Sequence, residues 1–70
     1  MAMSEKIRII LVKKKMNVSE LADKMGTSRS NLSNKLKRDN FSENELIDIA
    51  NALNCDFVGS FRFRDTDEII

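Results

Sequence analysis

Histidine and proline are absent from the 70 residues, glycine occurs twice and cysteine once. Each scarcity closes a route. A lone Cys55 permits no intramolecular disulfide, and without histidine no metal cluster replaces one. Neither a metal nor another cofactor is therefore expected. With only Gly26 and Gly59 there is no glycine-rich loop to cradle a phosphate. Serine is plentiful, but no base stands ready to activate one as a nucleophile, so an enzyme is not expected. No apolar run approaches the length of a membrane span, and the N-terminus lacks the apolar core of a signal peptide, which points to a cytoplasmic protein. The stretch Ile7 to Val12 is interrupted by Arg8 and followed by three lysines, a pattern that fits a buried first helix. Absence of proline also removes the commonest helix breaker.

A chain this short makes one domain, residues 1–70, near the lower limit of what folds without cross-links. Apolar burial must stabilise it. The formal net charge of +1 conceals a strong division. Residues 1–40 carry ten Lys/Arg against four acids, a net of +6, whereas residues 41–70 carry two Arg against seven acids, a net of −5. Such polarity suits a molecule with one face toward an anionic partner and the other toward water or protein.

The apolar spacing predicts four helices over about residues 4–54. The first runs from Ser4, as its cap, to Lys14, with Ile7, Ile10 and Leu11 inward and Lys13, Lys14 and Lys15 at or past its last turn, where the helix dipole favours cations. Asn17 and Glu20 form the capping box of a second, lined by Leu21, Ala22 and Met25. Gly26 ends it where a left-handed residue is wanted, and Thr27-Ser28 supplies caps for a third, held down by Leu32 and Leu36. Ser42 and Glu45 make another capping box before a fourth, with Leu46, Ile49, Ala50 and Leu53, ending near Asn54. Met16 and Met25 are expected to fill gaps, and Cys55 to be a small apolar residue.

Asn17 to Lys37 thus spells two short helices joined by a glycine turn, the second presenting amides, hydroxyls and cations outward without an acid. That is a helix-turn-helix suited to the DNA major groove. The segment resembles the phage-repressor/Cro-type (XRE) helix-turn-helix family through Leu21-Ala22, Met25-Gly26, Thr27-Ser28-Arg29-Ser30 and Leu32. The resemblance implies a mainly α, compact four-helix phage-repressor-like domain and a sequence-specific double-stranded-DNA-binding transcriptional regulator of repressor type. Two positions depart from the family's pattern. Its usual apolar residue three after Leu32 is Lys35 here, with Leu36 as the apolar partner, which turns Asn31 outward and Arg29 inward. An Arg–Glu pair common in relatives corresponds to Leu11 and Leu36.

Helix three is the expected reader of bases. Arg29 can fork onto guanine and Asn34 can pair with adenine, with Ser30, Asn31 and Ser33 as secondary contacts. Asn17, Ser28, Lys37, Arg38 and Asn40 are the expected phosphate contacts.

From residue 56 the apolar period falls to two. Phe57, Gly59, Phe61 and Phe63 share one side, predicting a C-terminal β-strand over about 56–70, or a short hairpin that turns at Asp65-Thr66-Asp67. The resemblance allows such a strand to pair with its copy across a two-fold axis, giving a homodimer held by Phe57, Phe61 and Phe63. The alternative function is a protein-interaction module, of antitoxin or adaptor type, that uses the acidic half and the strand edge.

Overall fold

A computed structural model describes all 70 residues and contains four helices: α1 (Met3–Lys14), α2 (Val18–Met25), α3 (Arg29–Arg38) and α4 (Glu43–Ala52). Their boundaries follow from caps written in the sequence. Asn17 Oδ1 accepts the Glu20 N–H at 2.8 Å while Glu20 Oε1 accepts the Asn17 N–H at 3.1 Å, closing the predicted capping box of α2. Ser42 and Glu45 repeat the device at α4, at 3.1 and 3.0 Å. Ser28 Oγ caps α3 by accepting from Asn31 N–H at 3.1 Å. α2 ends at Gly26, whose φ of 72° is left-handed. Nothing lies within 4 Å of the place a Cβ would occupy there, so backbone conformation alone asks for glycine.

The start of α1 differs from expectation. Ala2, not Ser4, occupies the cap position and makes no side-chain cap bond, while Ser4 lies within the first turn and points inward. Its partners are on α3, beyond the reach of a local reading. α4 also closes earlier than Asn54, with Leu53 as its C-cap and the Cys55 N–H bonded back to the Ala50 carbonyl at 2.8 Å.

One cluster forms the core: Ile7 and Leu11 from α1, Leu21 and Ala22 from α2, Leu32 and Leu36 from α3, and Ile49 with Leu53 around α4. Met16, Met25, Ile10, Leu46 and Cys55 pack half-buried against it. Leu11 and Leu36 are both buried within this cluster.

The C-terminal strand predicted over 56–70 does not form. The chain instead turns at Arg64–Thr66 and returns with a single antiparallel bridge, Arg62 to Ile69. Phe61 and Ile70 exchange backbone hydrogen bonds at 2.8 and 2.9 Å, and the Phe63 N–H donates to the Glu68 carbonyl at 2.8 Å. Two short segments without a third strand or a supporting face cannot propagate a ladder. The expected phenylalanine face is divided accordingly. Phe57 is half-buried and lines an apolar groove with Met3, Ile10, Leu46 and Val58, whereas Phe61 is 80% exposed and Phe63 45%. A homodimer paired through this strand therefore has no strand to pair. Phe61 and Ile70 line a second groove with Glu43 and Leu46 of α4, and the molecule is elongated, measuring 43 × 22 × 19 Å with a radius of gyration of 13.7 Å, against roughly 11 Å for a compact chain of this length.

Candidate nucleic-acid interface

α2, Gly26, Thr27-Ser28 and α3 make a helix-turn-helix whose second helix is anchored by two leucines. Leu32 and Leu36, 2% and 3% exposed, face the core one turn apart. Arg29, Ser30, Asn31, Asn34, Lys37 and Arg38 are exposed on the other side, and Ser33 is half-buried at the margin. The outward residues include no carboxylate. Hydrogen-bond donors predominate, which matches the acceptor-rich edge of guanine and the phosphate oxygens beside it.

Each polar side chain is held differently. Asn31 Nδ2 donates to Thr27 Oγ1 at 3.1 Å, tying that amide back toward the turn. Asn17 and Ser28 use their side-chain oxygens as caps, which leaves the Asn17 amide N–H groups and the Ser28 hydroxyl hydrogen able to donate outward. Asn34, Lys37 and Arg38 make no side-chain hydrogen bond or ion pair within the protein. Asn40 lies exposed beyond the end of α3.

Lys35 is drawn away from this face. Its ammonium forms an ion pair with Glu45 of α4. Glu45 also accepts the Ser42 N–H, and these two partners, the lysine first, hold its carboxyl down from 4.5 to about 2. The pair ties α3 to α4.

Two residues outside the expected set lie beside it. Arg8 from α1 and Ser19 from α2 line a groove with Asn17, Val12, Met16 and Arg29. Arg29 thus shares that groove with a second guanidinium. Sequence spacing alone does not bring Arg8 there. It follows from α1 crossing beside the start of α2, with the left-handed Lys15 at φ 55° turning the chain between them.

Asp39 is the sole acid between Lys24 and Ser42, and it stands next to Arg38. Its carboxylate accepts the Ser4 N–H, and this bond, followed by one from the Ser4 hydroxyl, holds its pKa below the ordinary 3.8. Phe61 and Phe63 lie in the tail, apart from these residues in sequence and outside the helix-turn-helix. No group of His, Cys, Asp and Glu side chains is arranged to hold a metal ion, and no helix is long and apolar enough to cross a membrane.

Comparison with curated proteins and with solved structures gives no match. A family model for the Cro/C1-type HTH DNA-binding domain matches residues 6–59, which include all four helices save the first residues of α1. The chain belongs to the Cro/C1-type helix-turn-helix DNA-binding domain family.

Proposed function

We propose that this chain is a sequence-specific, repressor-like regulator that reads double-stranded DNA with α3 in the major groove. The observation that carries the proposal is the acid-free outward face of α3 on a helix whose inner leucines are only 2–3% exposed. A reading helix must be anchored to its scaffold and must offer donors without repelling phosphate, and the buried Leu32 and Leu36 with the acid-free outer face support that reading. Arg29 and Asn34 are the base readers, with Ser30, Asn31 and Ser33 secondary. Asn17, Ser28, Lys37, Arg38 and Asn40 contact phosphates, joined by Arg8 and Ser19 from the groove beside Arg29.

Selection from a random duplex library at moderate salt tests this directly. Enrichment of a defined site is the expected result. A two-fold-symmetric site with half-sites about one helical turn apart would mean that two copies bind together, through a surface other than the absent strand. A single short site would mean that one copy suffices. On the enriched site, Asn34→Ala should cost about 1–3 kcal/mol at one base pair, whereas Arg38→Ala should weaken all sequences alike and lower the salt slope by about one.

One observation favours a second function, that of a protein-interaction module. Val58, Phe61, Ile69 and Ile70 are exposed on the tail, beside Asp65, Asp67 and Glu68. Exposed apolar groups rimmed by charge suit a protein partner. Failure to enrich any sequence at any salt concentration would make that function the better one.

A further inference from the structure

Ser4 is the only buried polar residue. Its backbone N–H donates to Asp39 Oδ1 at 2.8 Å. Its hydroxyl lies 2.6 Å from the Leu36 carbonyl and 2.8 Å from the same Asp39 oxygen. A hydroxyl carries one hydrogen and so serves these two acceptors alternately, while the backbone bond to Asp39 stands regardless. α1 has no side-chain cap of its own. Asp39 supplies one from 35 positions away in the chain. Asp39 is also the C-cap of α3, in left-handed conformation at φ 52°, and Leu36 provides one of the carbonyls that the end of α3 leaves without a helical partner. The open start of α1 and the open end of α3 thus satisfy each other.

This carboxylate stands in an unfavourable place for a DNA-binding surface. It is flanked by Lys37, Arg38 and Asn40, and an acid among phosphate contacts lowers affinity for any duplex. Its Ser4 bonds show what it does instead. We infer that Asp39 is a positioning residue: clasped to Ser4, it fixes the last turn of α3 so that Lys37, Arg38 and Asn40 meet the phosphates in register and Arg29 and Asn34 meet the right bases. The inference rests on the DNA-reading function proposed above. It has a particular signature, because geometry and charge act in opposite directions. Losing the clasp harms discrimination, whereas losing the charge helps binding to DNA of any sequence.

The test compares affinity for the enriched duplex with affinity for a scrambled duplex, in the full chain and in Asp39→Ala, Asp39→Asn and Ser4→Ala. Asp39→Ala should bind the scrambled duplex at least as tightly as the parent, while the specific-to-scrambled ratio falls about tenfold. Asp39→Asn keeps an oxygen for the Ser4 N–H and should retain the ratio to within about threefold, again with tighter scrambled binding. Ser4→Ala keeps the charge and the backbone bond but loses the hydroxyl, so its ratio should fall with no gain on scrambled DNA. Thermal melts identify the variants folded at the assay temperature. If Asp39→Ala does not fold, a retained ratio in Asp39→Asn beside a lowered one in Ser4→Ala supports the clasp. An unchanged ratio in Asp39→Ala, equal losses in the Ala and Asn variants, or a parallel drop on both duplexes would overturn it. If the parent chain enriches no duplex at all, the DNA-reading function itself fails, an outcome distinct from a parent that discriminates and Asp39 variants that discriminate equally well.

Discussion

Individual residues in this domain carry large shares of its stability because so few are buried. Leu21, Leu32 and Leu53 are enclosed to 2% exposure or less. Truncating such a leucine to alanine costs about 2–5 kcal/mol, comparable to the whole stability expected of so small a domain. Leu36 adds a sharper case. Leu36→Glu would bury a carboxylate where Leu11 offers no partner, and the variant should be unfolded at room temperature by circular dichroism; a native-like melt would disprove the packing described. Gly26 behaves differently, for its site is open and only its φ of 72° is demanding. Gly26→Ala should lower stability by about 1 kcal/mol, and Gly26→Asn by less, because asparagine tolerates the left-handed region. A thermal shift in the opposite order would show that space, not backbone conformation, governs the turn.

At the scale of helices, connection matters more than propensity. α2, α3 and α4 each begin at a side-chain cap four or fewer residues from its partner, so each start is locally encoded. The ties between helices are of another kind. Lys35–Glu45 joins α3 to α4, and Ser4–Asp39 joins α1 to α3. The Glu45 carboxyl is depressed to about 2 in the folded protein from 4.5. A depressed carboxylate contributes stability that is fully present above about pH 4.5 and is lost as pH falls through that value toward 2. The urea midpoint should therefore fall on acidification across this window. Glu45→Gln, which keeps an acceptor for the Ser42 N–H but no charge, should flatten that fall. An identical acid limb in the variant would remove the pair from the account. Asp39 contributes in the same direction, its own pKa being lowered by Ser4.

The whole molecule is divided twice, by charge and by packing. The cationic half contains the helix-turn-helix, and the acidic half contains α4 and the tail. Most cations thus belong to the helix-turn-helix half and most carboxylates to the other, with Asp39 the acid set among the cations that end α3. Burial divides the chain near Val58: beyond it the tail meets α4 only through the shallow groove that Gly59, Ser60, Phe61 and Ile70 line with Glu43 and Leu46. Every residue from 58 onward is exposed. Removing residues 60–70 should therefore leave helical content intact and change stability by less than about 1 kcal/mol. Phe57→Ala, in contrast, should cost about 1–3 kcal/mol, since that half-buried ring lines the apolar groove beside α1 and α4. A large loss on truncation would mean that the tail folds against the helices in solution.

Much of this was legible in the residues because it depends on neighbours in the chain. Helical spacing of leucines and isoleucines, the Asn17–Glu20 and Ser42–Glu45 boxes, and glycine at the turn determine four helices and the outward face of α3 by themselves, since their periods and bonds span at most four residues. The period of two in Phe57, Gly59, Phe61 and Phe63 was equally plain, yet no strand followed. Alternation states which side chains share a side, whereas a ladder needs a partner of some length and a face to cover, and the fold provides only the short return at 68–70, whose residues are all exposed. Only tertiary structure turned Ser4 from an expected cap into a buried donor, brought Arg8 beside Arg29, and set Lys35 against Glu45. Each of these depends on how one helix crosses another, and that crossing is decided by the packing of the whole core.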